Sequence, residues 1–231
     1  MSTESSTQRF QRIVVVICLI VAPLLLAAGI LVHPGEAEGG LVGTLADNPG
    51  QIEAANLLII FSSILFVPGL LGLLRYVTGR GTVLTTIGVA MAMIGAVCHA
   101  VWAGFQIILL GIVQGGIDQA QLSALVEGDP PNAAFVIVMA MFLVGFFLGL
   151  IVLAAGLWRS QMFPRWAAVG IGLIALFNFV PVDNRAVLFI APMVLVASFA
   201  AIALTLFRSS DAASVPEIDS VPGTGVQPQM Q

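Results

Sequence analysis

Six apolar stretches, each long enough to cross a lipid bilayer as a helix, divide this sequence. Crossing roughly 30 Å of hydrocarbon takes about 20 apolar residues in a helix. Soluble domains carry about a quarter charged residues, whereas only 9% of these 231 residues are charged and 59% are hydrophobic. We therefore predict an all-α polytopic membrane protein, a bundle of six transmembrane helices. The predicted spans are Ile13–Val32, Ala54–Leu74, Val83–Val113, Ala133–Leu157, Trp166–Val182 and Ala186–Phe207.

The arginines predict the orientation of these spans. All eight basic residues are arginines, and cytoplasmic loops of membrane proteins are enriched in Arg and Lys. Placing the N-terminus inside leaves Arg185 as the one arginine outside. We therefore expect an N-in/C-in topology, with a cytoplasmic segment over residues 1–12 and a membrane domain over residues 13–208. Residues 209–231 are rich in Ser, Pro, Gly and Gln, which predicts a disordered cytoplasmic tail.

The second outer loop has the pattern of a short surface helix. Asp118 followed by Gln121 forms a capping box, in which each side chain bonds a free backbone N–H of the first turn. Leu122 and Leu125 give the helix an apolar face, and Gly128 ends it.

The third predicted span carries a small residue at every fourth position. Such a stripe lets two helix backbones approach closely, which increases their van der Waals contact in lipid. We expect the stripe to pack against Gly145–Gly149, a GxxxG pattern in the fourth span, and Val89 to face lipid. The stripe consists of Gly88, Ala92, Ala96, Ala100 and Gly104.

Polar side chains of the spans concentrate in their outer halves. His99 is an ionisable residue well inside the third span, and Trp102 and Gln106 follow on the same helix face. Asn56 and Asn178 lie at similar depth in two other spans. Because ionisable groups inside a membrane mark functional sites by default, we predict a ligand-binding pocket that opens outward, with His99 as the ligand contact and Trp102 as an apolar wall. The alternative is a neutral histidine that hydrogen-bonds a neighbouring helix.

The turn between the fourth and fifth spans carries the most recognisable motif. It reads R-S-x-x-x-P-R-W from Arg159 to Trp166 within the segment Leu157–Gly170. This turn, together with the segment Gly95–Gly104, resembles uncharacterised six-span bacterial membrane proteins of the DUF4386-like type and related actinobacterial proteins. The resemblance implies a six-helix membrane fold and a bacterial origin, hence the plasma (inner) membrane, and it implies no activity. The residues themselves indicate an anchoring role, because Arg and Trp are enriched where helices leave the membrane.

The residue types exclude several classes of function. Without lysine the chain has neither a Schiff-base residue nor a P-loop lysine. No spacing typical of zinc or haem ligands occurs, and no basic surface for nucleic acid exists. We therefore expect no catalytic residues, no metal and no cofactor.

The sequence favours a non-enzymatic membrane protein with the lipid bilayer as its first partner. It would bind a lipid or apolar small molecule, or act as an accessory subunit beside a membrane-protein partner or a second copy of the chain. A small transporter or channel working as an oligomer is the alternative, because Pro23, Pro68 and Pro192 interrupt three spans in the manner of broken transporter helices. A membrane enzyme is a third reading.

Overall fold

The computed structural model describes residues 6–35, 40–126, 128, 133–177 and 185–212. Within these ranges every regular element is a helix, as predicted from the apolar stretches. The helices are α1 (Ser6–Val32), α2 (Gly40–Asp47), α3 (Pro49–Leu73), α4 (Thr82–Gln114), α5 (Gln119–Val126), α6 (Ala133–Ser160), α7 (Arg165–Phe177) and α8 (Arg185–Ala212).

Five of the described helices are long and apolar enough to cross a membrane, namely α1, α3, α4, α6 and the Phe189–Arg208 part of α8. The chain is therefore a multi-pass helical membrane protein. The described part of the remaining predicted span is α7, which has 13 residues, and residues 178–184 lie outside the described ranges. Helix α8 continues to Ala212, past the predicted start of the tail at Ser209. Residues 213–231 of that tail also lie outside the described ranges.

The six longer helices form a ring in chain order. Helix α1 packs against α3, α3 against α4, α4 against α6, α6 against α7 and α7 against α8, and α8 returns to pack against α1. Each helix runs opposite to its neighbour in the chain, so the turns after α3 and α6 lie at one end of the bundle. This end also contains the start of α1 and the end of α8. We call it the basic end, because Arg12, Arg75, Arg80 and Arg159 lie there.

Aromatic side chains fill the middle of the ring. Phe66 of α3 contacts Phe146 of α6 edge to face, with ring centroids 5.7 Å apart. It contacts Phe199 of α8 in the same way at 5.6 Å. All three side chains are buried. The three phenyl rings come from alternate helices of the ring, so they close its axis.

The closest backbone packing in the ring joins α4 to α6, as the small-residue stripe predicts. A Cβ added to Gly149 would lie 2.5 Å from the backbone nitrogen of Ala92, and a Cβ on Gly156 would lie 2.5 Å from that of Thr85. A Cβ on Gly88 would likewise meet the backbone of Leu153. These distances are too short for any residue larger than glycine, so the predicted contact between Gly88 or Ala92 and the Gly145–Gly149 pattern is confirmed.

The Gly104 end of the small-residue stripe does not make the predicted contact with α6. A Cβ on Gly104 would meet nothing within 4 Å, and the close approach to Gly145 is made by Gly95. An α-helix has 3.6 residues per turn, so every fourth-residue step rotates the face by about 40°. The contact therefore follows residues 88, 92, 95, 99 and 102 instead of a strict repeat of four. The expectation for Val89 is also wrong, because α4 packs against α3 as well as α6 and this side chain is 1% exposed and belongs to the core.

The two short helices cap the end opposite to the basic end. Asp118 accepts a hydrogen bond from the backbone N–H of Ala120 at 2.9 Å, and the predicted surface helix follows as α5. Helix α2, which lies between α1 and α3, is not part of the sequence prediction. Val42 and Leu45 of α2 pack with Leu122 of α5 and Leu109 of α4 in a small separate core. The cap therefore covers the ends of α3 and α4 that lie opposite to the basic end.

Candidate functional site

Two of the five predicted site residues meet directly. The side-chain amide of Asn56 on α3 donates a hydrogen bond to the amide oxygen of Gln106 on α4, at 2.9 Å. Both side chains are buried, with exposures of 1% and 5%. An interhelical amide pair of this kind satisfies two polar groups that lipid cannot hydrate. The pair joins α3 to α4 in the half of the bundle that lies opposite to the basic end.

His99 lies on the α4–α6 contact and not beside this amide pair. Its imidazole stacks on the ring of Phe142, with centroids 4.3 Å apart and planes inclined by 22°. Phe146, which belongs to α6 like Phe142, has its ring centroid 6.2 Å from that of the imidazole. His99 is half-buried, and the described part of the chain offers its ring nitrogens no hydrogen-bond partner. The predicted alternative of a histidine bonded to a neighbouring helix thus has no support among the described residues.

Trp102 belongs to a second aromatic group one turn further along α4. Its indole meets Phe135 of α6 edge to face at 5.2 Å and lies 5.7 Å from Phe105. All three rings are partly exposed. Trp102 therefore has the apolar surroundings that the prediction requires. Asn178, the fifth predicted residue, lies outside the described residues.

A π-helical turn lies beside His99. Residues Leu143–Leu148 of α6 form this turn, which separates the α-helical parts Ala133–Phe142 and Gly149–Ser160. The stacking partner Phe142 directly precedes it, and Phe146 lies within it. Turns of this type occur frequently at functional sites. Nothing in the spacing of apolar residues indicates it.

The basic end holds a cavity that the sequence interpretation did not identify. Its volume is about 370 Å³, and it is lined by Arg80, Trp158, Arg159 and Gln161. Arg80 belongs to the turn between α3 and α4, whereas Trp158 and Arg159 end α6. The guanidinium of Arg165 lies 5.4 Å from the centroid of the Trp158 ring, at cation–π distance.

Gly81 brings these elements together. Its φ of +98° lies in the left-handed region that favours glycine. An added Cβ would lie 3.0 Å from the backbone nitrogen of Ser160 and 3.3 Å from the Cβ of Arg159, and it would collide with the carbonyl of Gly156. The turn before α4 is thus pressed against the end of α6. This contact places Arg80 next to Arg159.

An apolar groove starts at the same tryptophan. It has a volume of about 260 Å³ and lies between α6 and α7. Val169, Leu173 and Leu176 on its α7 side are 42–51% exposed, so the groove faces outward from the ring. Small residues on both helices leave the space open. The lining consists of Ala154, Ala155, Trp158, Ala168, Val169, Gly172, Leu173 and Leu176.

The sequence contains some residues of the arginine-lined cavity in a motif that also indicates membrane anchoring. Arg159, Arg165 and Trp158 belong to the R-S-x-x-x-P-R-W turn, which indicates membrane anchoring. Their meeting with Arg80 depends on the contact between two turns far apart in the chain. A Gly-Arg-Gly turn and a second basic turn at the same end of the bundle form the sequence pattern that would indicate such a cavity.

Fold and cavities together define a multi-pass helical membrane protein with an outward-facing apolar groove and an arginine-lined cavity. Comparison of the sequence with protein-family models gives no match. Comparisons with curated proteins and with solved structures give none either. The resemblance to DUF4386-like proteins therefore stays a prediction.

Proposed function

We propose that this protein is a six-span, N-in/C-in protein of the bacterial inner membrane, similar to the DUF4386-like type, and that it binds a lipid or apolar small molecule without performing chemistry. The groove between α6 and α7 is the observation that carries the proposal. Ala155 and Gly172 leave a channel about 260 Å³ in volume on the lipid-facing surface. Large side chains commonly fill such a surface, whereas this one is open along about one turn of α6 and two turns of α7.

The packing around Gly172 indicates that the distance between α6 and α7 is fixed at the groove. A Cβ on Gly172 would lie 3.3 Å from the Cβ of Ala154, so the two helices approach closely at the floor of the groove. Ala154 and Ala168 are buried there, which fixes the spacing of α6 and α7. Exposed Leu173 and Leu176 form one rim, and Trp158 closes the basic end. An acyl chain or a small flat apolar molecule fits this shape.

Substitution of Ala155 by phenylalanine tests the proposal. Ala155 is exposed and lines the groove, so a phenyl ring there would fill much of the space without entering the core. Native mass spectrometry of the protein released from detergent should show bound lipid in the wild type and less in Ala155→Phe. The matched control is Ala140→Phe, on an exposed face of the same helix away from the groove. Equal lipid retention in all three proteins would contradict the proposal, and a bound protein in place of lipid would favour an accessory subunit.

The transporter or channel reading has less support. Pro23, Pro68 and Pro192 lie inside helices that continue through them, whereas broken helices form the substrate sites of many transporters. The phenyl rings of Phe66, Phe146 and Phe199 also close the axis of the ring. Transport would therefore need a passage between two copies of the chain.

We also propose a second apolar ligand site, in the outer half of the helix bundle. His99 would be the ligand contact, because its ring nitrogens have no partner among the described residues. Trp102 and Phe142 would form the apolar wall. The Asn56–Gln106 pair, which is buried between α3 and α4, and Asn178 complete the proposed set.

A further inference from the structure

The arginine-lined cavity and the apolar groove adjoin at one residue. Trp158 lines both of them. The cavity is otherwise lined by Arg80, Arg159 and Gln161, and the groove mainly by alanines and leucines. The cavity of about 370 Å³ is comparable to small-molecule sites, which begin at about 300 Å³. A ligand that fills both parts must have a polar end and an apolar chain.

The polar part of this site has two arginines and no acidic partner among the described residues. Neither Arg80 nor Arg159 has a carboxylate or another hydrogen-bond acceptor as a partner among the described residues. No described side chain at the basic end is Asp or Glu. Two guanidinium groups held on adjoining turns repel each other, so an anion between them is stabilising. Arginine binds phosphate oxygens through two parallel hydrogen bonds.

The apolar part cannot select a ligand by hydrophobicity alone. Lipid tails around the protein are as apolar as the groove, so moving a chain from bilayer to groove gains little free energy. Selection must therefore come from the headgroup. Basic pockets between membrane helices on the cytoplasmic side attract anionic lipid headgroups.

We propose that the site binds an anionic phospholipid, with the headgroup phosphate between Arg80 and Arg159 and one acyl chain in the groove against Trp158. Arg165 holds the indole through its cation–π contact and adds positive charge behind it. The proposal rests on the lipid-binding function proposed for the groove and adds the charge of the headgroup.

Quenching of Trp158 fluorescence by brominated lipids tests the proposal. The chain has three tryptophans, so Trp102→Phe with Trp166→Phe leaves Trp158 as the sole emitter. This protein is placed in phosphatidylcholine vesicles that contain increasing fractions of brominated phosphatidylglycerol or brominated phosphatidylethanolamine. If each arginine contributes about fivefold, the relative binding constant should favour phosphatidylglycerol by about 25-fold. Arg80→Gln or Arg159→Gln should lower this preference about fivefold, and the double variant should abolish it.

Arg75→Gln is the matched control. Arg75 lies at the same end, but its guanidinium donates to the side chain of Gln11 and does not line the cavity. It should keep the wild-type preference. Equal quenching by the two lipids in the wild type would overturn the proposal without the need for any variant. Binding of inorganic phosphate without any preference for phosphatidylglycerol over phosphatidylethanolamine would also overturn it, because the ligand would then be a soluble anion.

The two proposals fail in different ways. If Ala155→Phe retains as much lipid as the wild type, the groove does not bind lipid and both proposals fall. If Ala155→Phe loses lipid but the two headgroups quench Trp158 equally, the groove binds lipid without selecting charge, and the headgroup proposal alone falls.

Discussion

Adding one methyl group at Gly149 should separate α4 from α6. The new Cβ would lie 2.5 Å from the backbone nitrogen of Ala92 and 2.9 Å from its Cα, whereas ordinary contact begins near 3.4 Å. Both atoms belong to the backbone, so no rotamer change relieves the collision. The helices must move apart by about 1 Å, and a gap of this size forfeits a quarter to a half of the contact energy of the atoms that it separates.

The expected change in the free energy of unfolding is the difference between a destabilising and a stabilising contribution. Overpacking of a close contact costs about 1–3 kcal/mol, and a collision with backbone belongs near the upper value. Replacing a helical glycine by alanine stabilises the helix by ~1 kcal/mol. Gly149→Ala should therefore lower the free energy of unfolding by about 2 kcal/mol. At about 2–4 °C per kcal/mol for a chain of this length, the melting temperature falls by roughly 4–8 °C.

Gly104→Ala provides the control for this prediction. A Cβ at Gly104 meets nothing within 4 Å, so only the helix-propensity term remains and the variant should melt slightly above the wild type. Thermal unfolding of both proteins in one detergent, followed by circular dichroism, measures the difference. If Gly149→Ala melts as high as Gly104→Ala, the backbone contact does not hold α4 against α6, and the reasoning is refuted.

Three further predictions concern topology, the amide pair and the histidine. A cysteine at Asp47 should react with a membrane-impermeant thiol reagent in intact cells, and a cysteine at Thr78 only after lysis; external labelling of Thr78→Cys would overturn the N-in topology. Asn56→Leu leaves the Gln106 amide buried without its partner and should cost about 1–3 kcal/mol. Adding Gln106→Leu should recover part of that loss, and strictly additive losses in chemical denaturation would argue against the hydrogen bond. His99→Leu should reduce extractable apolar ligand at an unchanged melting temperature, whereas loss of the fold would assign His99 a structural role.

The class of fold and the α4–α6 contact could be predicted because both depend on local patterns. An apolar run predicts a membrane helix without knowledge of its neighbours. Glycine and alanine in a stripe predict a close approach, and Gly145–Gly149 was the evident partner. The exact register could not be predicted, because the drift of about 40° per four residues transfers the contact from Ala96 to Gly95.

The neighbours of each polar side chain were much harder to predict. Gln106 and His99 occupy the same face of α4, yet Gln106 bonds α3 while His99 stacks on α6. Helix periodicity cannot decide which of two adjacent helices a residue contacts. The arginine-lined cavity was missed for a related reason: Arg80 and Arg159 are far apart in sequence, and the contact of Gly81 with the end of α6 joins them.

The order of the helices around the ring has a consequence for biogenesis. Each helix from α3 onward finds its preceding neighbour already inserted, so each contact can form as soon as a new hairpin enters the bilayer. Helix α1 is the exception, because one of its two partners is α8, the last of the described helices to be synthesised. Until α8 arrives, the face of α1 that it covers must remain in contact with lipid or with the insertion machinery. Loss of α8 should thus leave five helices paired in order but open, and such an open bundle is a natural substrate for membrane quality-control proteases.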